Sequence, residues 1–221
     1  MTRKAFSIGY GHGTRTFWLD EERVMLEMAA AGDNEPPDGA AEVQRALSAP
    51  IGTPTLDQIV RPGETVCIIT SDVTRPCPSH IILPPLIAEL EKAGIHTDDI
   101  TVVFALGSHR RHTVEEQERL VGPDVYSRVH TIDSDPEDTV YLGMTQLGTP
   151  VNITAAVAQA DRRILVGNIE YHYFAGYSGG AKALMPGVSD REAIQANHSR
   201  MTEPTSRAGA IDGNRLRLDL E

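Results

Sequence analysis

Three short stretches hold side chains whose types and spacing suit acid–base or nucleophilic chemistry. In "SDVTRPCP", Asp72 and Arg75 stand three apart, directly after an apolar run. An arginine at a strand end offers a planar fork suited to a carboxylate or phosphate. Asp72 could orient that fork or receive a substrate hydroxyl. A turn held by an Asp72–Arg75 ion pair fits the pattern equally well. In "ALGSHRRH", His109 follows a second apolar run on a small-residue turn. Imidazole, with an ordinary pKa of about 6.5, suits proton transfer near neutrality. A lone histidine at a strand end is more often structural, and Arg110, Arg111 and His112 read as solvated.

The third stretch, "EYHYFAGYSGGAKALMPG", sets His172 between two tyrosines and Lys182 ten residues later, among four glycines. It resembles a P-loop only in part. After Gly176 come four residues and then Ala181-Lys182-Ala183, so the second glycine and the magnesium-binding hydroxyl of G-x-x-x-x-G-K-[ST] are both missing. Triphosphate binding by that route is rejected. Gly179 and Gly180 still let backbone N–H groups approach a bound anion. Apolar neighbours around Lys182 predict a partly desolvated amine of lowered pKa, hence a nucleophile. An ordinary surface lysine on a flexible turn is the competing reading. His198, at the end of "AIQANHS", reads first as a helix C-terminal dipole partner. As a metal ligand it lacks companions and needs a cofactor to supply the other donors.

The elements that position these residues follow from pattern. "AFSIGYG" and "TRTFWLD" predict a hairpin turning at Gly11-His12-Gly13. The stretch over 31–40 reads as loop and "AAEVQRALSAP" as a short amphipathic helix. Strand "ETVCIITSD" is followed by a helix within "SHIILPPLIAELEKAGI", whose start Pro84 and Pro85 leave open or kinked. Then come strand "DITVVFALGSH", helix "TVEEQERLV" with a Thr113–Glu116 capping box, the segments "RVHTIDS" and "TPVNITAAVAQA", and strand "RILVGNI". A last helix in "SDREAIQANHS" is expected to be capped by Ser189. This alternation predicts an α/β domain with a largely parallel, Rossmann-like sheet flanked by helices. Ligands of such sheets gather at the carboxyl ends of strands, and every unusual residue falls there.

Composition sets limits. The 221 residues carry 31 acids against 20 bases, a formal charge of −11. That balance argues against nucleic acid or an anionic membrane as main partner. No apolar run approaches the roughly 18–20 residues of a membrane span, and the start shows no apolar signal core. A cytoplasmic location is the expectation. Cys67, in an apolar run, is expected to be a buried thiol. The tail "SRAGAIDGNRLRLDLE" stops where a helix is due, so the chain is expected to be the first part of a longer protein.

Taken together, "DVTRP", "ALGSHR", "GNIEYHYFAGYSGGAKALMPGVS" and "ANHS" resemble, in order and spacing, the nickel-dependent lactate racemase family. The likeness covers nearly the whole chain as one N-terminal α/β domain, residues 1–221. It implies a nickel-pincer nucleotide, a pyridinium mononucleotide with sulfur donors, tethered through a thioamide to Lys182 near Gly179 and Gly180. His198 would be the protein ligand to nickel, and sulfur with imidazole is a sensible donor set for that metal. The resemblance further implies that His109 and His172 serve as interchangeable acid and base. Arg75 would bind the substrate carboxylate, with Asp72 beside it. Hydride would leave C2 of a small 2-hydroxy acid, give a planar 2-keto intermediate, and return to either face. Partners would be that substrate and the proteins that make the cofactor; nothing in the sequence sets an oligomeric state. Relatives continue into a second domain that closes the cleft, so this chain alone is expected to be inactive or nearly so.

Two other readings stay open at this point. A nicotinamide-dependent dehydrogenase would share hydride chemistry, but "SDVTRP" stands where G-x-G-x-x-G should follow the first strand. A non-catalytic ligand-binding domain would have no need for Lys182 and three histidines together.

Overall fold

Four short apolar strands, each ending in polar or small residues, build the sheet that carries the candidate site. The computed structural model describes residues 2–28, 38–75 and 77–221. The loop expected over 31–40 lies outside the described residues as far as 37. The chain divides into two compact units, residues 1–36 and 37–221. In the first, β1 (Arg3–Tyr10) and β2 (Gly13–Asp20) form the expected antiparallel hairpin. Its two-residue turn needs Gly11 at φ 60°, a conformation glycine adopts without cost.

The second unit opens with α1 (Gly39–Ser48), capped by the Asp38 carboxylate, which accepts from the backbone N–H groups of Ala40 and Ala41. After α2 (Leu56–Ile59) comes β3 (Val66–Ser71) and then α3 (Ser79–Lys92). Pro84 and Pro85 do not set the start of α3; both lie inside it. They remove two backbone bonds from the ladder. Burial of Leu83, Leu86, Ile87 and Leu90 on the same helix offsets that loss.

Next come β4 (Ile100–Ala105), α4 (Val114–Val121), α5 (Pro123–Arg128) and β5 (His130–Asp133). The Thr113–Glu116 capping box of α4 is present in both directions. A strand the sequence did not suggest, β6 (Thr139–Met144), pairs antiparallel with β7 (Pro150–Thr154). Then follow α6 (Ala155–Gln159) and β8 (Arg162–Leu165). The strand expected over "RILVGNI" therefore stops early, and only Val166 adds one more bond, its N–H donating to the Ile69 carbonyl. Gly167 and Asn168 are left free to turn toward the site.

The main sheet runs β5-β4-β3-β8, every neighbouring pair parallel. Its central strand is covered on both faces, which explains the unbroken apolar run "VCII". Val66 and Ile68 point into a layer with Leu83, Leu86, Leu90 and Phe104. Cys67 and Ile69 point the other way, toward Val103, Val157 and Val188. Burial pushes the Cys67 thiol up to about 12, so it is inert. Truncating Ile68, which is fully buried, to alanine should cost about 2–5 kcal/mol.

Beyond the sheet lie a minimal hairpin of β9 (Tyr171–His172) and β10 (Gly176–Tyr177), then α7 (Arg191–His198) and α8 (Arg215–Leu220). The cap of α7 is Asp190, whose carboxylate accepts from the Ala193 N–H at 2.8 Å, rather than Ser189. Ser189 instead donates its hydroxyl to the Leu184 carbonyl. No helix among the described residues is long and apolar enough to cross a membrane.

Candidate functional site

The carboxyl ends of β3, β4 and β8 open into one cavity of about 250 Å³. Asp72, Arg75, His109, His172, Gly179, Gly180, Lys182 and His198 all line it. The strand order explains the convergence. The turn after β3 brings Asp72 and Arg75 to the centre, while His109 follows β4 on one side and His172 follows β8 on the other.

Asp72 is buried and does not pair with Arg75. Its Oδ2 lies 2.7 Å from Nδ1 of His109, and the Thr74 hydroxyl donates to the same carboxylate at 2.9 Å. A carboxylate facing Nδ1 fixes the proton there and leaves the Nε2 lone pair of His109 free to act as a base. This carboxylate-oriented imidazole has the logic of an activated base held by a third group. Arg75 keeps its guanidinium without a carboxylate partner among the described residues; its only hydrogen bond is a long one, 3.5 Å, to the Thr74 carbonyl.

Across the sheet, Nδ1 of His172 accepts from the Ala175 N–H at 3.2 Å, and Nε2 lies 3.2 Å from Nζ of Lys182. With Nδ1 used as an acceptor, a neutral ring carries its proton on Nε2, aimed at the lysine nitrogen. That contact joins an imidazole N–H to the neutral form of the amine, which is the minor form at pH 7 and about half of the molecules at pH 8. Burial, then the charges of Lys182, Arg75 and His198, lower His172 to about 4. Burial, then Arg75 and Arg217, lower Lys182 to about 8, so the desolvated amine expected from the sequence is present.

Phe174 holds this corner together. It is buried, and its ring meets His172 edge-on at 4.5 Å and His198 at 5.1 Å, while Nζ of Lys182 stands 5.6 Å from its centroid. His198 ends α7 as expected. Burial and the Lys182 charge lower its pKa; the Ile194 carbonyl one turn back opposes this, though it lies off hydrogen-bond geometry. The Nδ1 atom of His198 is thus buried with no hydrogen-bond partner among the described residues.

Two glycines make the close approaches possible. A Cβ on Gly187 would stand 2.2 Å from the Ala183 carbonyl oxygen and 2.8 Å from Cβ of Ala105, so only glycine lets the lysine turn pack on the end of β4. Gly179, at φ 76°, would put a Cβ 2.9 Å from the Asn168 carbonyl oxygen.

The residues present fit a lysine-tethered, histidine-ligated group. An amine of lowered pKa and an imidazole whose buried nitrogen has no partner among the described residues face the same cavity. Among the described residues no cluster of three His, Cys, Asp or Glu side chains could hold a metal by itself, so His198 would need further donors from the bound group.

Several participants were missed in the sequence. Thr74 and Phe174 carry no spacing signal. Arg217 reaches back from α8, donating to the Tyr177 carbonyl at 3.1 Å. His112 was expected to be solvated and is instead fully buried against Asp133, while Arg110 and Arg111 are exposed and pair with Glu116 and Asp135.

Comparison with known proteins identifies the family and the fold. Residues 10–209 match the lactate racemase N-terminal domain. The chain is 32% identical over 220 residues to the lactate racemase of Thermoanaerobacterium thermosaccharolyticum, covering 96% of this chain and 51% of that protein. It is 33% identical over 224 residues to the lactate racemase of Lactiplantibacillus plantarum, covering 98% and 52%. The structure of the T. thermosaccharolyticum lactate racemase apoprotein superposes with a TM-score of 0.81 at 31% identity, over 98% of this chain and 52% of that one. A Thermotoga maritima protein shares the fold at a TM-score of 0.66 and 20% identity, over 82% of this chain and 46% of that one. The chain spans about half the length of the relatives it matches. With its α/β fold and the convergence of its site residues, this chain belongs to the lactate racemase N-terminal domain family.

Proposed function

We propose that this chain is the cofactor-anchoring and acid–base part of a racemase or epimerase acting on a small 2-hydroxy acid, lactate being one candidate. The observation that carries the reading is the meeting of all eight motif residues in one cavity, with one histidine held by a carboxylate and the other by an amine.

The chain's own residues divide the work. Arg75, free of a carboxylate partner among the described residues, binds the substrate carboxylate through its fork. His109, oriented by Asp72, accepts the substrate hydroxyl proton at Nε2. His172, reached from the other side of β3, returns or removes the proton when the opposite enantiomer is formed. Two bases reached from different strands suit a reaction whose substrate and product are mirror images. Lys182 would tether a nickel-pincer nucleotide, with His198 as the protein ligand to nickel. When bound, that group supplies the hydride acceptor that a weakly acidic C–H beside a carboxylate calls for.

Arg75 and Lys182, two cations that line the cavity beside the carboxylates Asp72 and Glu170, support an anionic ligand despite the overall charge of −11. Arg75 and Arg217 both act on Lys182, and Asp72 is already engaged by His109. A nicotinamide-dependent reading lacks support, since the β3 turn carries Asp72 and Arg75 rather than glycines.

The test is intact-mass and nickel analysis of the full-length protein coexpressed with the cofactor-making enzymes, with Lys182→Ala as control. The proposal expects an adduct and nickel that both disappear in the variant, and interconversion of 2-hydroxy acid enantiomers by the loaded protein. An unmodified, nickel-free wild type from a working pathway would move the binding-domain reading ahead.

A further inference from the structure

His112 is the one fully buried histidine side chain near the cavity that the proposed reaction does not use. Its environment is complete and specific. The Asp133 carboxylate at the end of β5 accepts from the His112 backbone N–H at 2.8 Å and from ring Nδ1 at 2.6 Å. The edge of Phe104, from β4, packs on the ring at 5.1 Å. The remaining nitrogen, Nε2, accepts from the backbone N–H of Val73 at 3.1 Å. With Nδ1 donating to a carboxylate and Nε2 accepting from an amide, the ring is neutral and its tautomer is fixed.

Val73 sits between Asp72 and Thr74 in the turn that also carries Arg75. That turn closes with the Arg75 N–H donating to the Asp72 carbonyl at 3.1 Å, and with Thr74 donating to the Asp72 carboxylate. Both bonds are internal and fix the turn's own shape rather than its place on the sheet. The Val73–His112 bond holds the turn by its backbone, tying it to a residue 39 positions away and through that residue to β5, whereas the turn's bonds to His109 run through the side chains of Asp72 and Thr74. Two carboxylate–imidazole pairs therefore stand in series. Asp133 holds His112, His112 holds the turn at Val73, and the turn presents Asp72 to His109.

We propose that His112 is a positioning residue, setting through the Val73 amide where Asp72 and Arg75 stand relative to His109. The proposal rests on the acid–base reading of Asp72, Arg75 and His109 given above. Displacing an orienting group by about 1 Å can cost on the order of 10²-fold in rate. A single unpartnered amide in this half-buried turn is enough to drive such a shift, since the turn relaxes to find another acceptor.

Two substitutions separate positioning from simple packing. His112→Asn keeps a donor for Asp133 where Nδ1 stood but leaves Val73 without an acceptor. His112→Gln puts an oxygen where Nε2 stood and restores that acceptor. In the unloaded full-length protein, hydrogen exchange should show Val73 protected at least about tenfold over a free peptide. His112→Asn should abolish that protection and loosen the His109 Nδ1–Asp72 bond seen in imidazole nitrogen NMR, and His112→Gln should restore both. In the loaded protein, kcat/KM should fall about 10²-fold in His112→Asn and recover about tenfold in His112→Gln.

An unprotected Val73 amide in the wild type, which needs no variant to fold, would overturn the proposal. So would His109 signals unchanged in His112→Asn, or equal losses in the two variants. If the loaded wild type interconverts no 2-hydroxy acid, the functional reading fails, and the exchange and NMR measurements still decide the role of His112.

Discussion

The Lys182 amine lies 3.2 Å from Nε2 of His172, and the charges that act on it, Arg75 and Arg217, are both positive. Burial and those two charges outweigh the attraction of the Phe174 ring for an ammonium, and the pKa falls. With its pKa near 8, about half of Lys182 is a free amine at pH 8, against roughly 0.3% for a lysine of ordinary pKa. The chain has only two other lysines, Lys4 and Lys92, which serve as internal controls. Brief treatment with acetic anhydride near pH 7.5, followed by peptide mass analysis, should modify Lys182 at least about tenfold faster than Lys92. Equal or slower labelling would show that the amine is not activated.

Holding a lysine this way weakens the fold. Between pH 8 and 10.5 the unfolded chain keeps a proton that folded Lys182 has released, so stability rises with pH across that window. Below pH 8 the full cost is present. Lys182→Met should therefore raise unfolding stability at pH 7 by roughly 1–3 kcal/mol in urea titrations, and the gain should shrink as pH approaches 10.5. A destabilised variant at pH 7 would contradict the argument.

His172 titrates in the opposite quarter of the pH scale. Its folded pKa of about 4 lies below the ordinary 6.5, so the unfolded ring takes up a proton first as pH falls. Stability attributable to this ring is complete above pH 6.5 and is lost progressively toward pH 4. Because the Lys182 charge is the second cause of the shift, Lys182→Met should also raise the His172 pKa, read by NMR titration of its ring protons. An unmoved titration curve would mean that burial alone sets it.

Asp72→Asn tests the oriented base. An amide nitrogen in place of Oδ2 faces Nδ1 of His109 with a donor, so the ring must flip its tautomer or lose the bond. In the loaded full-length protein, kcat should fall about 10²–10⁴-fold while the lysine adduct remains. A variant with near wild-type turnover would remove Asp72 from the mechanism.

How much of this was visible beforehand depended on how local each determinant is. The main strands, the α4 capping box and the glycine-rich lysine turn are written in contiguous residues, and all are present, though β8 ends at Leu165, short of the expected "RILVGNI". The cap of α7 shifted by one because Ser189 finds the Leu184 carbonyl, a partner no local rule supplies. Asp72 looked equally able to pair with Arg75 three residues on, and the contest went to His109 because parallel pairing of β3 and β4 aligns their ends. His112, read as solvated from "SHRRH", is buried because Asp133 arrives from β5, 21 residues later. Arg217 was invisible for the same reason: its partner Tyr177 lies 40 residues away.

The pairing of β3 with β8 has a consequence for how the molecule is made. Thr65, just before β3, gives both its N–H and its hydroxyl to Asp161, 96 residues further along, and β3 and β8 then zip in register. Contacts so far apart in sequence form slowly, after local helices and the β3–β4 pairing. Until they form, Lys182 has neither Arg75 nor a buried wall beside it and remains an ordinary, protonated amine. A chain emerging during synthesis would thus carry its reactive lysine in a quenched form, and chemical labelling of Lys182 would report the completion of folding itself.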